Sequence, residues 1–233
     1  MSHDVKENKL LKKIIGLLGF KIFQKDTVKT ERFIESLSVN CGNLIKLLVD
    51  KKKIDYVIQI GANDGKSDDF LRSSINEDTK VLLVEPIKSA FLDWKINYSN
   101  LTNVKFINKA IDIKKGKKKI YSVNPANYDY YKKKYQSEDV SWLTVLASFE
   151  ESHLINHGVK SNHIHSTDVD CTTFNDLITQ YNFNKLDLLI IDTEGYDNVL
   201  LKNFIENTNL RPIIIFEWIH MKIDEAKNII EIL

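Results

Sequence analysis

The sequence contains little cysteine, almost no net charge and no long apolar run. Its two cysteines are Cys41 and Cys171, and their wide separation argues against a disulfide framework or a thiolate metal site. With 33 basic and 32 acidic residues the formal charge is +1, so no overall field attracts nucleic acid or an anionic membrane. We therefore expect a protein of the reducing cytoplasm that has no nucleic-acid partner.

Long hydrophobic segments are also missing. No run approaches the roughly 18 apolar residues that span a bilayer, and the N-terminus lacks the apolar core and cleavage site of a secretory signal. The hydrophobic fraction of 43% is nevertheless too high for intrinsic disorder. At 233 residues the chain can bury one sizeable core. We expect one domain of residues 53–233, preceded by a helical appendage of residues 1–52.

The appendage contains an amphipathic pattern. In residues 8–23, leucine and isoleucine recur at helical spacing among lysines, which predicts a helix. A second helix is expected over residues 31–51. The first helix could dock on the domain or on a second subunit, or it could lie on a membrane surface. Docking is the commoner use of such a helix, and both a dimer contact and a peripheral membrane contact stay open.

From Ile54 onward, short apolar runs alternate with polar stretches of helical length. The runs are YVIQI, KVLLVEP, NVKFINKAI, LDLLIIDTEG and PIIIFEW. Such near-continuous runs are typical of strands buried on both faces of a parallel sheet. Between them, KSAFLDWKINYS has helical periodicity, and Ser67 and the threonines of TTFNDLITQYN are suited to cap helices. The predicted class is α/β, with a mostly parallel sheet flanked by helices.

Residues 114–158 interrupt this alternation. They contain a basic strand candidate, an aromatic segment, NPANYDYYKKKYQ, and a helix-like segment, SFEESHLINHG. We expect an insertion over the edge of the sheet. Its tyrosines alternate with lysines, a combination that also occurs where single-stranded nucleic acid stacks on a protein. One short patch in a neutral protein does not favour that use.

The strongest local signal is VIQIGANDGKSDDF, a strand that leads into a glycine-bearing turn and a helix. Gly61 allows the tight turn, and Gly65 allows a ligand to approach the helix N-terminus. A dinucleotide fingerprint has the pattern Gly-x-Gly-x-x-Gly, whereas Asn63 and Lys66 stand at its second and third glycine positions. The turn therefore suits the amino-acid end of adenosylmethionine better than a pyrophosphate. A tight turn without a ligand is the alternative.

A carboxylate follows the second apolar run. Glu85 lies about 24 residues after Gly61, close to the spacing at which an acidic residue binds ribose hydroxyls. A lone carboxylate at a strand end is usually only solvated, but this strand is predicted to neighbour the glycine turn. Glu85, with Pro86 beside it, is therefore a candidate for binding a cofactor ribose. The third run ends with Asn108 and Ala110, which we expect to flank an adenine ring.

Several blocks of the sequence resemble, in order, the motifs of the FkbM family of methyltransferases. The blocks are IGANDG, VLLVEPIKSAFLDWKINY, FINKAI, LDLLIIDTEGYDNVLL and RPIIIFE. The resemblance runs from about Tyr56 to Glu217, and IDTEGYDNVL is similar to the family's IDVEG-type signature. It implies a Rossmann-like class I methyltransferase fold, adenosylmethionine as cofactor, and methylation of a hydroxyl on a sugar, glycan or secondary metabolite. Bacterial members often resemble enzymes of polysaccharide gene clusters.

The resemblance also implies which residues bind the cofactor. It assigns Gly61, Asn63 and Gly65 to binding the methionine and ribose end of the cofactor, and Glu85 to binding the ribose. Gln59 stands where the family usually has an acidic residue, two positions before the first glycine. Because an amide oxygen still accepts a hydrogen bond, we interpret Gln59 as a variation and keep it among the cofactor-binding candidates.

The fourth-strand signature contains Asp192 and Glu194. Methyl transfer to a hydroxyl depends on close positioning of the reactants, and a base that takes the proton accelerates it. Asp192, at the end of LDLLII, is the first candidate for that base, although it could instead orient its loop. His220, whose ring titrates near neutral pH, is the second. Glu194 and Glu217 are candidates for binding the acceptor substrate, and a buried, paired carboxylate is the alternative for Glu217.

His153 and His157 are four residues apart, so their rings would share one helix face, the spacing of helical zinc sites. The sequence supplies no cysteine or third matched ligand beside them, and we expect no metal site. A solvated face or an acceptor-binding lid is the preferred interpretation. His163 and His165 alternate as in a strand and are a weaker signal.

Two other functions stay open at this point. A nicotinamide-dependent sugar oxidoreductase uses a similar sheet, but it needs the third glycine and usually a Tyr-x-x-x-Lys pair. Tyr128 and Lys132 have that spacing, which chance explains in a lysine-rich segment. The second alternative is a degenerate binding module without turnover, which Gln59 and the chain's end at Leu233 support. Related folds add a closing hairpin after the fifth strand, so a truncated C-terminal edge is expected.

Overall fold

The computed structural model describes residues 41–51, 53–61, 71–217 and 223–232. The chain divides into two units, residues 1–54 with 69–76 and residues 55–68 with 77–233. In the first unit, helix α1 (Cys41–Asp50) buries Ile45 and Val49, which are one turn apart, as in an amphipathic helix. The helix predicted over residues 31–51 is confirmed for this part. The helix predicted over residues 8–23 lies outside the described residues.

The second unit contains the strands and the other described helices. In chain order the strands are β1 (Tyr56–Ile60), β2 (Lys80–Val84), β3 (Val104–Ile107), β4 (Ala110–Ile111), β5 (Gly116–Val123), β6 (Ala147–Ser148), β7 (Ile164–Thr172), β8 (Leu188–Ile191) and β9 (Ile213–Phe216). The helices are α2 (Lys88–Asn97), α3 (Tyr128–Tyr135), α4 (Trp142–Val145), α5 (Glu151–Asn156), α6 (Phe174–Tyr181), α7 (Asp197–Asn207) and α8 (Ile223–Ile232). None of these described helices is long and apolar enough to cross a membrane.

The larger sheet is parallel and uses the predicted apolar runs. Its strands lie in the order β3-β2-β1-β8-β9, and each neighbouring pair is parallel. Because β1 lies in the middle, the chain first builds outward through β2 and β3 and later continues on the other side with β8 and β9. The strand order therefore reverses between β1 and β8.

Helices flank this sheet on both faces. On one face, Ile58 and Ile60 of β1 belong to a buried apolar cluster with α6 and α7, where the rings of Phe174 and Phe204 meet edge to face at 5.1 Å. On the other face, Tyr98, directly after α2, meets Phe106 of β3 edge to face at 6.4 Å. The N-cap predicted for TTFNDLITQYN is also found, since the Thr173 side chain accepts a hydrogen bond from the Asp176 N–H. The predicted α/β class with a mostly parallel sheet is thereby confirmed.

One predicted strand was wrong. The run NVKFINKAI is divided into β3, in the parallel sheet, and β4, in a second sheet. Between them the side-chain amide of Asn108 donates to the carbonyl oxygens of Glu85 and Pro86, each at 2.9 Å. The chain leaves the parallel sheet at this point. Hydropathy could not predict the break because both halves of the run are apolar.

The second sheet has the order β4-β7-β5-β6. Strand β7 is antiparallel to β5, β5 is antiparallel to β6, and β4 is parallel to β7. The basic strand candidate is confirmed as β5, and its pairing with β7 extends this sheet to Thr172, beyond the expected insertion of residues 114–158. The aromatic and helix-like segments form α3 and α5, whose Tyr131 and Leu154 are buried in an apolar cluster of their own.

Candidate functional site

The carboxyl edge of the parallel sheet brings together the described site candidates that follow its strands. These are Gly61, Glu85, Asn108, Asp192 and Glu217. In open α/β sheets, ligands bind outside the carboxyl ends of the strands, at the point where the strand order reverses. That point lies between β1 and β8, so the residues that flank it are Gly61 and Asp192.

Backbone hydrogen bonds fix the register of these edge residues. The N–H of Glu85 donates to the carbonyl of Ile107 at 3.0 Å, and the N–H of Asp192 donates to the carbonyl of Ile60 at 2.9 Å. The N–H of Glu217 likewise donates to the β8 residue Ile191 at 3.3 Å. The backbone positions of these three residues at the carboxyl edge are therefore fixed by the neighbouring strands.

Gly61 is required by both its conformation and its surroundings. Its φ is +73°, in the left-handed region that favours glycine. A Cβ at this position would overlap the backbone carbonyl oxygen of Asp192. Gly61, the first residue after β1, is therefore packed directly against the first residue after β8. Asn63 and Gly65, the other residues predicted in this turn, lie outside the described residues, as does His220.

Gln59 is a buried polar side chain next to this turn. It is 7% exposed, and it points away from the cluster that contains Ile58 and Ile60, because successive strand residues face opposite sides. Within the described part of the chain, its Oε1 has no hydrogen-bond partner. A buried amide oxygen without a partner is unfavourable by about 1–3 kcal/mol. A donor from a bound ligand would relieve this penalty.

Glu85 and Asn108 form the next part of the edge. Glu85 is 5% exposed, and its Oε1 accepts a hydrogen bond from the Ile87 N–H at 2.7 Å. The Asn108 side-chain amide binds the backbone carbonyls of Glu85 and Pro86 through the two hydrogen bonds described above. Ala110 is placed differently, since it packs in the small apolar cluster of the second sheet. Its predicted contact with adenine gains no support from this packing.

Three carboxyl groups near the carboxyl end of β8 have raised pKa values. Burial raises the pKa of Asp192 to about 7, helped by the negative charges of Glu217 and Glu194. Asp192 as a whole residue is exposed, but enough atoms surround its carboxyl group for burial to be the largest cause of its raised pKa. Burial, with the charges of Glu194 and Asp197, raises the pKa of Glu217 to about 7, and His153 opposes this shift.

The third carboxyl group, Asp197, was not predicted from the sequence. It is 1% exposed at the start of α7, and burial raises its pKa to about 7 against the lowering effect of its hydrogen bonds with Thr193. Its Oδ2 accepts from the Thr193 N–H at 3.2 Å and from the Thr193 hydroxyl at 2.9 Å. Asp197 is an acidic residue in the first turn of α7, a position that the positive end of the helix dipole favours.

The predicted histidine pair lies beside the Asp192 loop. His153 on α5 donates from Nε2 to Glu194 Oε2 at 3.2 Å. His157, which follows the same helix, donates from Nδ1 to the backbone carbonyl of His153 at 2.9 Å, and the two rings lie 4.5 Å apart. The structure thus brings His153 and Glu194 together. Among the described residues, no group of three or more His, Cys, Asp or Glu could hold a metal ion.

A polar network that the sequence did not reveal lies at the other end of this loop. The Tyr196 hydroxyl donates to Asp112 Oδ1 at 2.7 Å. Lys118 Nζ lies 3.4 Å from the Asp112 carboxylate and 4.1 Å and 4.3 Å from the ring centres of Phe149 and Tyr196. A lysine over aromatic faces forms a cation–π contact. The second sheet therefore contacts the loop after β8 at several points.

The comparison with known families is decisive at this stage. A family model described as Methyltransferase FkbM domain matches residues 59–233. The chain belongs to the FkbM methyltransferase family. The FkbM match confirms the resemblance found in the sequence blocks and includes every edge residue described above. The comparisons with curated proteins and with solved structures found no match.

Membership of the FkbM family supports a methyltransferase and gives no support to a nicotinamide-dependent enzyme. The Tyr-x-x-x-Lys pair of that alternative lies on α3, where Lys132 forms an ion pair with Glu138 at 3.5 Å. Gly61 and the carboxyl cluster of Asp192, Asp197 and Glu217 lie instead at the carboxyl edge of the parallel sheet.

Proposed function

We propose that this protein is an adenosylmethionine-dependent O-methyltransferase with a Rossmann-like class I architecture, acting on a hydroxyl of a sugar, glycan or secondary metabolite. One observation carries the proposal. In a chain of the FkbM family, the left-handed Gly61 turn and the Asp192 carboxyl group flank the point where the strand order of a parallel sheet reverses.

The residues of the edge fit adenosylmethionine. Gly61 packs closely against Asp192 and has no side chain of its own. The buried Gln59 Oε1 is an acceptor of the kind that an ammonium group can use. Glu85 follows the neighbouring strand, as expected of a residue that binds ribose hydroxyls. When bound, adenosylmethionine supplies a methyl group on a positively charged sulfur. Asn63 and Gly65 stay sequence-based candidates for the same cofactor.

Asp192 is the proposed base. Its pKa of about 7 means that a large share of the carboxyl groups is ionised at neutral pH and that each holds a proton well once it has taken one. It would accept the proton that the acceptor hydroxyl loses on methylation. His220 stays the second candidate for this step.

Glu194, Glu217 and the histidine pair are proposed for the acceptor side. Glu217 follows the edge strand β9, and both His153 and Glu194 act on its electrostatic environment. His157 contacts His153 through the hydrogen bond to its backbone carbonyl. A cytoplasmic location, and a dimer or membrane contact of the N-terminal helix, stay proposals from the sequence.

The proposal is tested by methyl transfer from isotopically labelled adenosylmethionine to a panel of neutral sugars, oligosaccharides and hydroxylated metabolites. Mass spectrometry would locate the methyl group, which we expect on oxygen. We expect Asp192→Asn to reduce the rate about a hundredfold, while the matched surface variant Asp93→Asn retains it.

Methylation of nitrogen or carbon would contradict the O-methyltransferase assignment. A protein that binds adenosylmethionine but methylates no member of the panel would contradict the acceptor class. Full activity of Asp192→Asn would remove Asp192 from the role of base.

A further inference from the structure

The loop after β8 contains an unusual backbone conformation. In residues 192–196, here called the signature turn, Glu194 has φ +51° and Gly195 has φ +93°. Glycine adopts this region without strain, whereas a glutamate does not. The other non-glycine residues with positive φ among those described, Gln136 and Asn182, directly follow helices α3 and α6. A left-handed residue is the common way for a helix to end, but Glu194 follows a strand, so its conformation needs another explanation.

Two residues, Ser148 and His153, form hydrogen bonds with Glu194. The hydroxyl of Ser148, on β6, donates to the backbone carbonyl of Glu194 at 2.9 Å. Nε2 of His153, on α5, donates to the Glu194 carboxylate at 3.2 Å. Both the backbone and the side chain of the strained residue are thus held by a short segment of chain.

The fit between this segment and the turn is close. A Cβ at Gly195 would lie 3.0 Å from Nδ1 of His153, so a side chain at residue 195 would force the imidazole to shift by a few tenths of an ångström. Ser148 is 3% exposed, and the His153 side chain is 11% exposed. Both donors are therefore shielded from water, which strengthens their hydrogen bonds.

The far end of the turn is held as well. Tyr196 donates to Asp112 at 2.7 Å, and its ring meets Phe149 edge to face at 5.0 Å. Phe149 directly follows Ser148. The same short segment, residues 148–153, therefore contacts the signature turn at Glu194, Gly195 and Tyr196.

We infer that Ser148 and His153 are positioning residues, which hold Glu194 in its left-handed conformation and thereby place Asp192 at the carboxyl edge of the sheet. The functional consequence rests on the proposed function, since Asp192 is the proposed base. The physical argument is that a shielded hydrogen bond to the carbonyl and a charge-assisted one to the carboxylate together outweigh the strain of one left-handed residue. Loss of either bond releases the turn without disturbing the apolar core.

The test is amide hydrogen exchange of the intact protein, measured by NMR, in Ser148→Ala, His153→Leu and His153→Gln. The reporters are the N–H groups of Asp192 and Thr193, which are hydrogen-bonded to Ile60 and Asp197. We expect Ser148→Ala and His153→Leu to accelerate exchange at these two amides at least tenfold. Exchange at the β8 strand should change less than twofold. The amide nitrogen of His153→Gln can replace Nε2, so this variant should restore most of the protection.

The spread of the effect separates positioning from general loss of stability. Acceleration spread evenly over β8 and β9, or no acceleration in any variant, would overturn the inference.

The outcome is independent of the proposed function, because exchange is measured without cofactor or acceptor. Titration of the same samples with adenosylhomocysteine measures cofactor-site affinity and so tests the proposed function separately. We expect the affinity of Ser148→Ala to stay within threefold of the parent protein, since the turn serves the acceptor side. A parent protein that binds no adenosylhomocysteine would contradict the proposed function and leave the exchange data to decide on positioning.

Discussion

The two sheets of this protein differ in the kind of side chain they contain. Strand β8 of the parallel sheet is buried along its whole length with the sequence LLII, whereas β5 of the second sheet, GKKKIYSV, buries Ile120 and Val123 and exposes most of its lysines. The parallel sheet therefore supplies most of the buried apolar surface. The second sheet supplies the polar side chains that contact the signature turn, among them Ser148 and Lys118. Stability and placement of the site thus come from different parts of the chain.

The largest expected effect is that of Gly61→Ala, at the edge of the parallel sheet. The new Cβ would overlap the Asp192 carbonyl, and the left-handed conformation is unfavourable for alanine. Overpacking and backbone strain are among the causes of the largest single-residue effects, so we expect a loss of about 4–5 kcal/mol in the free energy of unfolding, measured by urea denaturation. Gly116→Ala is the matched control, since that glycine also has positive φ but its Cβ would meet no atom within 4 Å. Equal losses in the two variants would contradict the account.

A core substitution in each sheet sharpens the comparison. Phe204 is fully buried in the large cluster, and we expect Phe204→Ala to lower the free energy of unfolding by about 3–5 kcal/mol. Ile120 belongs to the small cluster of the second sheet, and we expect Ile120→Ala to lower it by about 2 kcal/mol. The measurement is again urea denaturation. A larger loss for Ile120→Ala would show that the second sheet is the main source of stability.

The next effect is the pH dependence of stability at Asp197. Folding raises its pKa from 3.8 to about 7. The contribution of the protonated Asp197 to the free energy of unfolding is therefore fully present below about pH 4 and is lost as the pH rises through about 7. Asp197→Asn removes this loss because the amide does not ionise. We therefore expect the variant to gain about 1–2 kcal/mol over the parent protein at pH 8, and the gain to vanish near pH 4. Thermal denaturation across this range measures it, and a gain that is largest at pH 4 would contradict the assigned pKa.

The smallest effect is a difference in proton release between two ligands. The positive sulfur of adenosylmethionine favours ionised carboxyl groups nearby, so its binding at pH 7 should release a fraction of a proton from Asp192 and Glu217. Adenosylhomocysteine, whose sulfur is neutral, should release less. Calorimetry in two buffers of different ionisation enthalpy measures the difference. The same proton count for both ligands would place the carboxyl cluster away from the sulfur.

The sequence predicted the parallel sheet well because its strands are continuous apolar runs, and the bounds of β1 agree with the run YVIQI. It also identified Asp192, Glu194 and His153 as separate candidates. It did not predict that Ser148 contacts Glu194, since these residues are 46 positions apart. The Tyr196–Asp112 hydrogen bond spans 84 positions. Contacts of this kind depend on tertiary packing, which local periodicity does not encode.

The central claim is that the carboxyl edge of the parallel sheet binds adenosylmethionine, and calorimetric titration tests it most directly. The ligands are adenosylmethionine, adenosylhomocysteine and NAD, and the proteins are the parent, Glu85→Gln and the surface control Asp93→Asn. We predict micromolar binding of the two adenosyl ligands to the parent and the control, no binding of NAD, and at least a tenfold weaker affinity in Glu85→Gln. Folded parent protein that binds neither adenosyl ligand, or that binds NAD instead, would contradict the account.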